Sequence, residues 1–200
     1  STSRRQRQMC IRDSFGTVGS GVAEVLAKNG EHIDQKVETP VRLKYILDVR
    51  DFPESPFQDK IIHDFSTIEN DKSVDIVVET IGGATVALDY TRRALRAGKS
   101  VVSSNKELVA ERGYELIQLA SQMGVSYLFE ASVGGGIPIL RPLSQCLAAN
   151  EIEEITGILN GTTNYILTRM IRAGLSFDDA LREAQANGYA EQDPVSYTHL

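Results

Sequence analysis

The feature that most constrains the fold is a repeated alternation of short apolar runs with longer helical stripes. The apolar runs are rich in β-branched and aromatic residues, as buried strands are, and occupy residues 41–49, 74–79, 100–103 and 125–129. The helical stripes lie beside them, each followed by a glycine, at residues 17–28, 84–97 and 107–123. This alternation predicts an α/β fold with βαβ units and a doubly wound parallel sheet.

The pattern changes after Glu130. The predicted elements beyond it are a helix over 138–149, a strand over 151–158, a helix over 164–172 and a helix from Ser176 to Gly188. We therefore place a domain boundary near residue 131. Residues 15–130 form one domain, and residues 131–194 form part of a second domain that is too short to enclose a core alone.

Both ends of the chain differ in character from its middle. Residues 1–14 contain four arginines and two glutamines, a composition that argues against the apolar strand expected before a nucleotide-binding turn. Residues 195–200 break off directly after an acidic loop. We expect both flanks to be foreign to the native protein. A basic, flexible arm and a short tail are the alternative.

Composition narrows the class of protein. Hydrophobic residues make up 42% of the chain and charged residues 24%, as in soluble globular proteins. The formal net charge of −6 disfavours non-specific binding to nucleic acid or membranes, and no apolar run is long enough to span a bilayer. Cys10 and Cys146 lack the spacing of a metal site. We expect a cytoplasmic protein with no nucleic-acid or membrane partner.

A glycine-rich turn precedes the first helical stripe. It reads Ser14-Phe-Gly-Thr-Val-Gly19, a nucleotide-binding fingerprint in which serine replaces the first glycine. The predicted cofactor contacts in this turn are Phe15, Gly16, Thr17, Val18 and Gly19. The motif alone is weak, and a glycine-rich helix start without any ligand is the alternative.

The second predicted strand ends in Leu47-Asp-Val-Arg-Asp51. A carboxylate at such a tip usually accepts the ribose 2′-hydroxyl of NAD, whereas an arginine suits the 2′-phosphate of NADP. Arg50 therefore favours NADP and leaves NAD open. A solvated, salt-bridged pair of residues is the alternative.

Two more strand ends carry candidate site residues. Thr80 and two glycines follow the strand at 74–79, where they would line a cofactor cleft. Ser104 and Lys106 follow the strand at 100–103 and open a helix. The Lys106 ammonium could orient the nicotinamide amide or a substrate oxygen, although a lysine at a helix start is more often simply solvated.

Two later motifs are the most specific in the chain. Residues 157–167 read Gly-Ile-Leu-Asn-Gly-Thr-Thr-Asn-Tyr-Ile-Leu, and small polar residues at a helix start can hold an anionic or hydroxylated ligand. Residues 188–194 read Gly-Tyr-Ala-Glu-Gln-Asp-Pro, which puts Glu191 on a loop beside a stiff Asp-Pro step. Either motif alone is also compatible with a capped helix and a surface loop.

In this order, behind the nucleotide-binding pattern, the motifs resemble homoserine dehydrogenase from about Phe15 to Pro194. The Arg50-Asp51 pair and the Ser104-Asn-Lys106 step fit the same family. The resemblance implies a Rossmann-type domain followed by part of an α+β catalytic and dimerisation domain. It implies hydride transfer between L-homoserine and L-aspartate 4-semialdehyde with NADP or NAD, in threonine, methionine and isoleucine biosynthesis. It also implies a homodimer when the protein is complete.

The resemblance implies roles for single residues. Lys106 would contact the cofactor and take part in catalysis, and Thr162 and Glu191 would contact the substrate. Glu191 would pair with the α-ammonium of the amino acid. The family's acid/base lysine follows the acidic motif and lies beyond Leu200, so we expect the chain as given to bind better than it turns over.

The segment 130–137 is similar to the part of this family that binds a sodium ion. The implied ligands are the Glu130 carboxylate and the backbone carbonyls of Val133, Gly135 and Ile137. An all-oxygen shell suits a hard cation, and glycines let carbonyls converge. The same segment could instead, or in addition, be a hinge between domains.

Two other functions remain open from the sequence. A methyltransferase can use a similar glycine turn for an adenosyl cofactor. A non-catalytic nucleotide-binding module is the third possibility, favoured by the incomplete fingerprint and disfavoured by the intact substrate-side motifs.

Overall fold

The computed structural model describes residues 7–12, 15–37, 39–158 and 160–190. Its strands are β1 (Arg7–Arg12), β2 (Val41–Leu47), β3 (Ile61–Ile62), β4 (Val74–Glu79), β5 (Ser100–Ser103) and β6 (Tyr127–Leu128). Its α-helices are α1 (Thr17–Val37), α2 (Phe65–Asn70), α3 (Thr85–Arg96), α4 (Lys106–Met123), α5 (Gly161–Ala173) and α6 (Phe177–Ala186). The six strands form one sheet in the order β3-β2-β1-β4-β5-β6, and every pairing is parallel.

Alternate residues of the central strands enter two different clusters of buried side chains. Val77 and Val101 belong to the larger cluster, which includes Leu95 from α3 and Leu108 from α4. The neighbouring Val78 belongs to a second cluster with Ala23 from α1, against which Val102 packs. Since successive strand side chains point to opposite faces, helices cover both faces of the sheet. The predicted doubly wound parallel sheet is confirmed.

The strand β1 corrects one prediction. Composition argued against a strand before the glycine-rich turn, yet Arg7–Arg12 forms one and lies between β2 and β4. Its register is irregular around Met9 against both neighbours. The edges of β2 and β4 that face each other present backbone N–H and C=O groups. These groups can form hydrogen bonds with any extended chain that lies between them, whatever its side chains. The prediction underestimated this backbone contribution.

The first helix is longer than its glycine suggests. The sequence predicts an end at Asn29-Gly30, but α1 continues to Val37. Ile33 is half-buried and prolongs the apolar stripe that begins at Val22. Burial along this stripe outweighs the cost of one glycine in a helix, about 1 kcal/mol. At the far end of α1, the carboxylate of Asp34 accepts a hydrogen bond from the backbone N–H of Val41, which ties the helix to β2.

Contacts divide the chain into two units, separated after Leu147. In the second unit, α5 and α6 pack around Ile166, Ala180, Leu181 and Ala184. The predicted strand over 151–158 is wrong: residues 151–158 have no regular structure, and no other strand is described in this unit to pair with them. The predicted helix over 138–149 reduces to a short π-helical turn, Pro142–Cys146. The predicted boundary near residue 131 stays a prediction.

Among the described residues, no helix combines the length and apolar character needed to cross a bilayer.

Candidate active site

The glycine-rich turn forms the start of α1. The carbonyl of Gly16 accepts hydrogen bonds from the Ser20 backbone N–H (2.9 Å) and the Ser20 hydroxyl (2.7 Å). The N–H groups that precede Ser20 in α1 lie ahead of this first helical hydrogen bond, so they resemble an anion-binding helix start. Gly19 is buried, as expected for a glycine that lets the helix approach the sheet, whereas Thr17 and Val18 are exposed.

Asp48, the residue directly after β2, connects the glycine-rich turn to the end of that strand. Its carboxylate accepts the Phe15 backbone N–H at 2.9 Å and the Arg50 backbone N–H at 2.9 Å. It also accepts the Arg50 side chain through Nε at 3.0 Å and Nη2 at 3.1 Å. Burial would raise the pKa of Asp48, but the hydrogen bonds from Arg50 and Phe15 outweigh it and lower that pKa below its ordinary value.

Arg50 itself points outward from this anchor. The guanidinium carbon lies 5.0 Å from the centre of the Phe52 ring, and 60% of the side chain is exposed. The Phe52 ring in turn packs edge-on against Phe15, with ring centres 5.1 Å apart. The two predicted cofactor contacts Phe15 and Arg50 thus lie close together, because both are hydrogen-bonded to Asp48 and both pack against the Phe52 ring.

The ends of β4 and β5 are joined by a buried network. Glu79 is 1% exposed and accepts hydrogen bonds from the Ile81 backbone N–H (2.7 Å) and the Ser103 hydroxyl (2.5 Å). The Ser104 backbone N–H donates to the Glu79 carbonyl at 3.1 Å. Thr80, which is buried, and Ser104 therefore lie side by side at the carboxyl ends of neighbouring parallel strands.

Asn105 connects this network to α4. Its side-chain oxygen caps the helix by accepting the Leu108 backbone N–H at 2.9 Å. Its amide nitrogen donates to the carbonyls of Ile81 (3.0 Å) and Gly83 (2.7 Å) in the loop after β4. Because Asn105 is fixed from both sides, Lys106 becomes the first residue of α4, with its side chain exposed at the same edge of the sheet.

In the segment after β6, the carboxylate of Glu130 binds three backbone N–H groups. Its oxygens accept the backbone N–H groups of Ile139, Leu140 (2.8 Å) and Arg141 (2.8 Å). The hydrogen bond from Ile139 is the main cause that lowers the pKa of Glu130. Within the described chain, no hydrogen bond to the carbonyls of Val133, Gly135 or Ile137 is found, so these oxygens remain able to bind a cation. One carboxylate and three carbonyl oxygens are donors of the kind that a hard cation prefers, so the chemistry of the residues that the resemblance implies fits such an ion.

In the second unit, a pocket opens at the start of α5. It is lined by Gly161, Thr162, Asn164, Tyr165, Thr168 and Tyr189. Asn160 caps α5 by accepting the Thr163 backbone N–H, and the Thr162 hydroxyl donates to the carbonyl of Tyr189 at 2.5 Å. Thr162 thereby contacts the beginning of the acidic motif. Glu191, the other predicted substrate contact, lies outside the described residues.

Side chains of α5 beside the pocket are hydrogen-bonded to α6. The Tyr165 hydroxyl donates to Glu183 at 2.8 Å, and Arg169 pairs with the other oxygen of that carboxylate at 3.0 Å. The Tyr165 and Tyr189 rings lie 5.0 Å apart. These interactions hold the α5 face of the pocket against α6.

Three buried or capping residues were not recognised as site elements from the sequence: Asp48 as an anchor, Glu79 and Asn105. Each lies at a strand end or within two residues after it. An asparagine between a strand and a helix is a recognisable capping signal. The partners of Glu79 depend on strand adjacency and carry no local signal.

The strand order, the glycine-rich start of α1 and the polar residues at the carboxyl ends of β2, β4 and β5 define a dinucleotide-binding α/β domain. Family models match the chain twice: the NAD-binding domain of homoserine dehydrogenase over residues 15–130, and homoserine dehydrogenase over residues 138–196. The chain belongs to the homoserine dehydrogenase family.

Individual relatives agree with this assignment. A homoserine dehydrogenase of Neisseria gonorrhoeae is 42% identical over 187 residues, which cover 90% of this chain and 42% of the relative. A crystal structure of a homoserine dehydrogenase from Thiobacillus denitrificans matches with a TM-score of 0.86 and 38% identity, covering 94% of this chain and 44% of that one. A hyperthermophilic archaeal homoserine dehydrogenase mutant in complex with NADPH matches with a TM-score of 0.80 and 27% identity. The match covers 96% of this chain and 64% of that one. The chain spans less than half the length of the curated relatives it matches.

Proposed function

We propose that this chain is the cofactor-binding part and a portion of the substrate-binding part of an NAD(P)-dependent homoserine dehydrogenase. The reaction transfers a hydride between L-homoserine and L-aspartate 4-semialdehyde, a step in threonine, methionine and isoleucine biosynthesis. One observation carries the proposal: the α1 start, Arg50, Thr80 and Lys106 all lie at the carboxyl edge of one parallel sheet. In such sheets ligands bind at this edge, where the strand order reverses.

The cofactor is held by the turn and by Arg50 in this proposal. The backbone of Gly16 to Gly19 receives the pyrophosphate, because the helix start offers N–H groups and the two glycines allow close approach. Arg50 receives the 2′-phosphate, which makes NADP the preferred cofactor. The nicotinamide, when bound, supplies the hydride chemistry, and the protein supplies position and charge.

Lys106 is the proposed catalytic residue of this chain. Thr80 and Ser104 border the cofactor, and Lys106 extends from the first turn of α4 beside them. Its ammonium orients the nicotinamide amide or the substrate oxygen, where a positive charge stabilises developing negative charge.

The substrate is recognised by the second unit in this proposal. Thr162 binds the substrate at the α5 pocket, and its contact with Tyr189 links it to the acidic motif. Glu191 pairs with the α-ammonium, since a carboxylate is the group that discriminates an amino acid from a simple hydroxy compound. The complete protein forms a homodimer, which sedimentation of a version extended to the relatives' length checks.

The cofactor claim is tested by titrating the chain with NADPH and following the nicotinamide fluorescence, with S-adenosylmethionine as the competitor. We expect saturable NADPH binding that S-adenosylmethionine does not displace. Displacement by S-adenosylmethionine would indicate the methyltransferase alternative, and absence of NADPH binding would contradict the proposed function.

A further inference from the structure

The carboxylate of Asp48 occupies the place where many dinucleotide-binding domains accept a ribose hydroxyl. Here it is 1% exposed, and each oxygen already accepts two hydrogen bonds. A carboxylate has about four acceptor sites, so none remains for a ribose hydroxyl. Asp48 therefore does not serve as the ribose acceptor in this arrangement.

We propose that Asp48 is a positioning residue that joins the glycine-rich turn to the Arg50 guanidinium, and that this connection sets the preference for a phosphate-bearing nucleotide. This inference rests on the proposed function, since it assumes that the sheet edge binds NADP. Beyond that function, it assigns the choice between NADP and NAD to the Asp48 carboxylate, which acts by positioning Arg50.

The first arm of the connection reaches Arg50. Two guanidinium nitrogens are bound to Asp48, and the guanidinium plane lies near the Phe52 ring. An arginine held in this way loses less side-chain entropy when it binds a phosphate, and its charge remains exposed to the solvent side. A neutral ribose hydroxyl gains little from the same guanidinium, so this arm favours NADPH over NADH.

The second arm reaches the turn. The Phe15 N–H precedes Gly16 directly, so its bond to Asp48 fixes the backbone that leads into α1. This backbone meets the pyrophosphate, which both cofactors carry. The second arm therefore contributes equally to NADPH and NADH, and the two arms can be separated by measuring both affinities.

The test compares Asp48→Asn with Asp34→Asn, measuring Kd for NADPH and for NADH by fluorescence titration. Asp34 is a matched control because it also accepts a backbone N–H, that of Val41, and pairs with an arginine, Arg42, but at the opposite end of β2. A carboxamide has fewer acceptor sites and presents N–H groups to the same donors. We expect Asp48→Asn to weaken NADPH by about tenfold or more, as for loss of one charged hydrogen bond. The same substitution should weaken NADH binding less. Asp34→Asn should leave the ratio of the NADPH and NADH affinities unchanged.

A double variant separates this role from a general loss of structure. In an Arg50→Ala background, Asp48→Asn should weaken NADPH and NADH by the same factor, because only the turn arm is left. If Asp48→Asn fails to fold, Asp48→Glu keeps the charge but displaces Arg50, and it should lower the NADPH/NADH affinity ratio. An unchanged ratio in every soluble Asp48 variant would overturn the inference. A wild-type chain that binds neither nucleotide would overturn the proposed function instead.

Discussion

At the residue scale, the candidate site depends on pairs in which a buried group fixes an exposed one. Asp48 is buried and holds the exposed Arg50. Asn105 is buried and fixes the helix start from which Lys106 extends. The buried partners satisfy backbone groups as well, so their positions are determined by the fold before any ligand binds.

Lys106→Ala tests the proposed catalytic residue. We expect turnover to fall by about 10²- to 10⁴-fold in a version extended to the relatives' length, the range attributed to a positioned proton-transfer or charged group. The unfolding temperature should stay the same because the side chain is exposed. Lys28→Ala, an exposed lysine paired with Glu24 on α1, is the control and should leave turnover unchanged. Equal kcat and KM for Lys106→Ala and wild type would remove Lys106 from the site.

At the element scale, the sequence predicts best those elements that carry their own signals. The strands β4 and β5 have the predicted bounds because each is a short run around valine or isoleucine residues that is buried or half-buried on both faces. The end of α4 follows from Gly124, whose φ of 68° suits glycine. Such local signals depend only on neighbouring residues.

Elements that depend on distant partners were predicted poorly. The strand β1 takes its stability from pairing with β2 and β4, which local composition does not encode. The bond between Phe15 and Asp48 joins residues 33 positions apart and follows from strand adjacency. In the second unit, residues 151–158 are predicted as a strand, but Ile152, Ile155 and Ile158 are exposed, and no strand is described in this unit to pair with them.

The sodium site implied for the loop from Glu130 to Ile137 is a proposal that thermal unfolding can test. Bound sodium stabilises the folded state, so the unfolding temperature should be higher in sodium chloride than in choline chloride at equal ionic strength. Gly136 has a φ of 76°, so Gly136→Ala should distort the loop and abolish this difference. Gly174→Ala is the control, because Gly174 also has a positive φ, 66°, and lies outside this loop at the end of α5; it should leave the difference between the two salts unchanged. Identical unfolding temperatures of the wild type in both salts would exclude the site.

At the scale of the whole molecule, the proposed cofactor and substrate sites lie in separate units of one chain. The first unit holds the sheet edge with Arg50, Thr80 and Lys106, and the second holds the pocket with Thr162. The curated relatives are more than twice as long as the matched region. The proposed hydride transfer is therefore tested in a version extended to the relatives' length.

The most direct test follows NADPH formation after L-homoserine is added to the extended protein with NADP. We expect NADPH formation that depends on L-homoserine and is lost in Lys106→Ala, with weaker activity when NAD replaces NADP. A protein that binds NADPH tightly but forms none from L-homoserine would contradict the proposed function and identify a non-catalytic nucleotide-binding module.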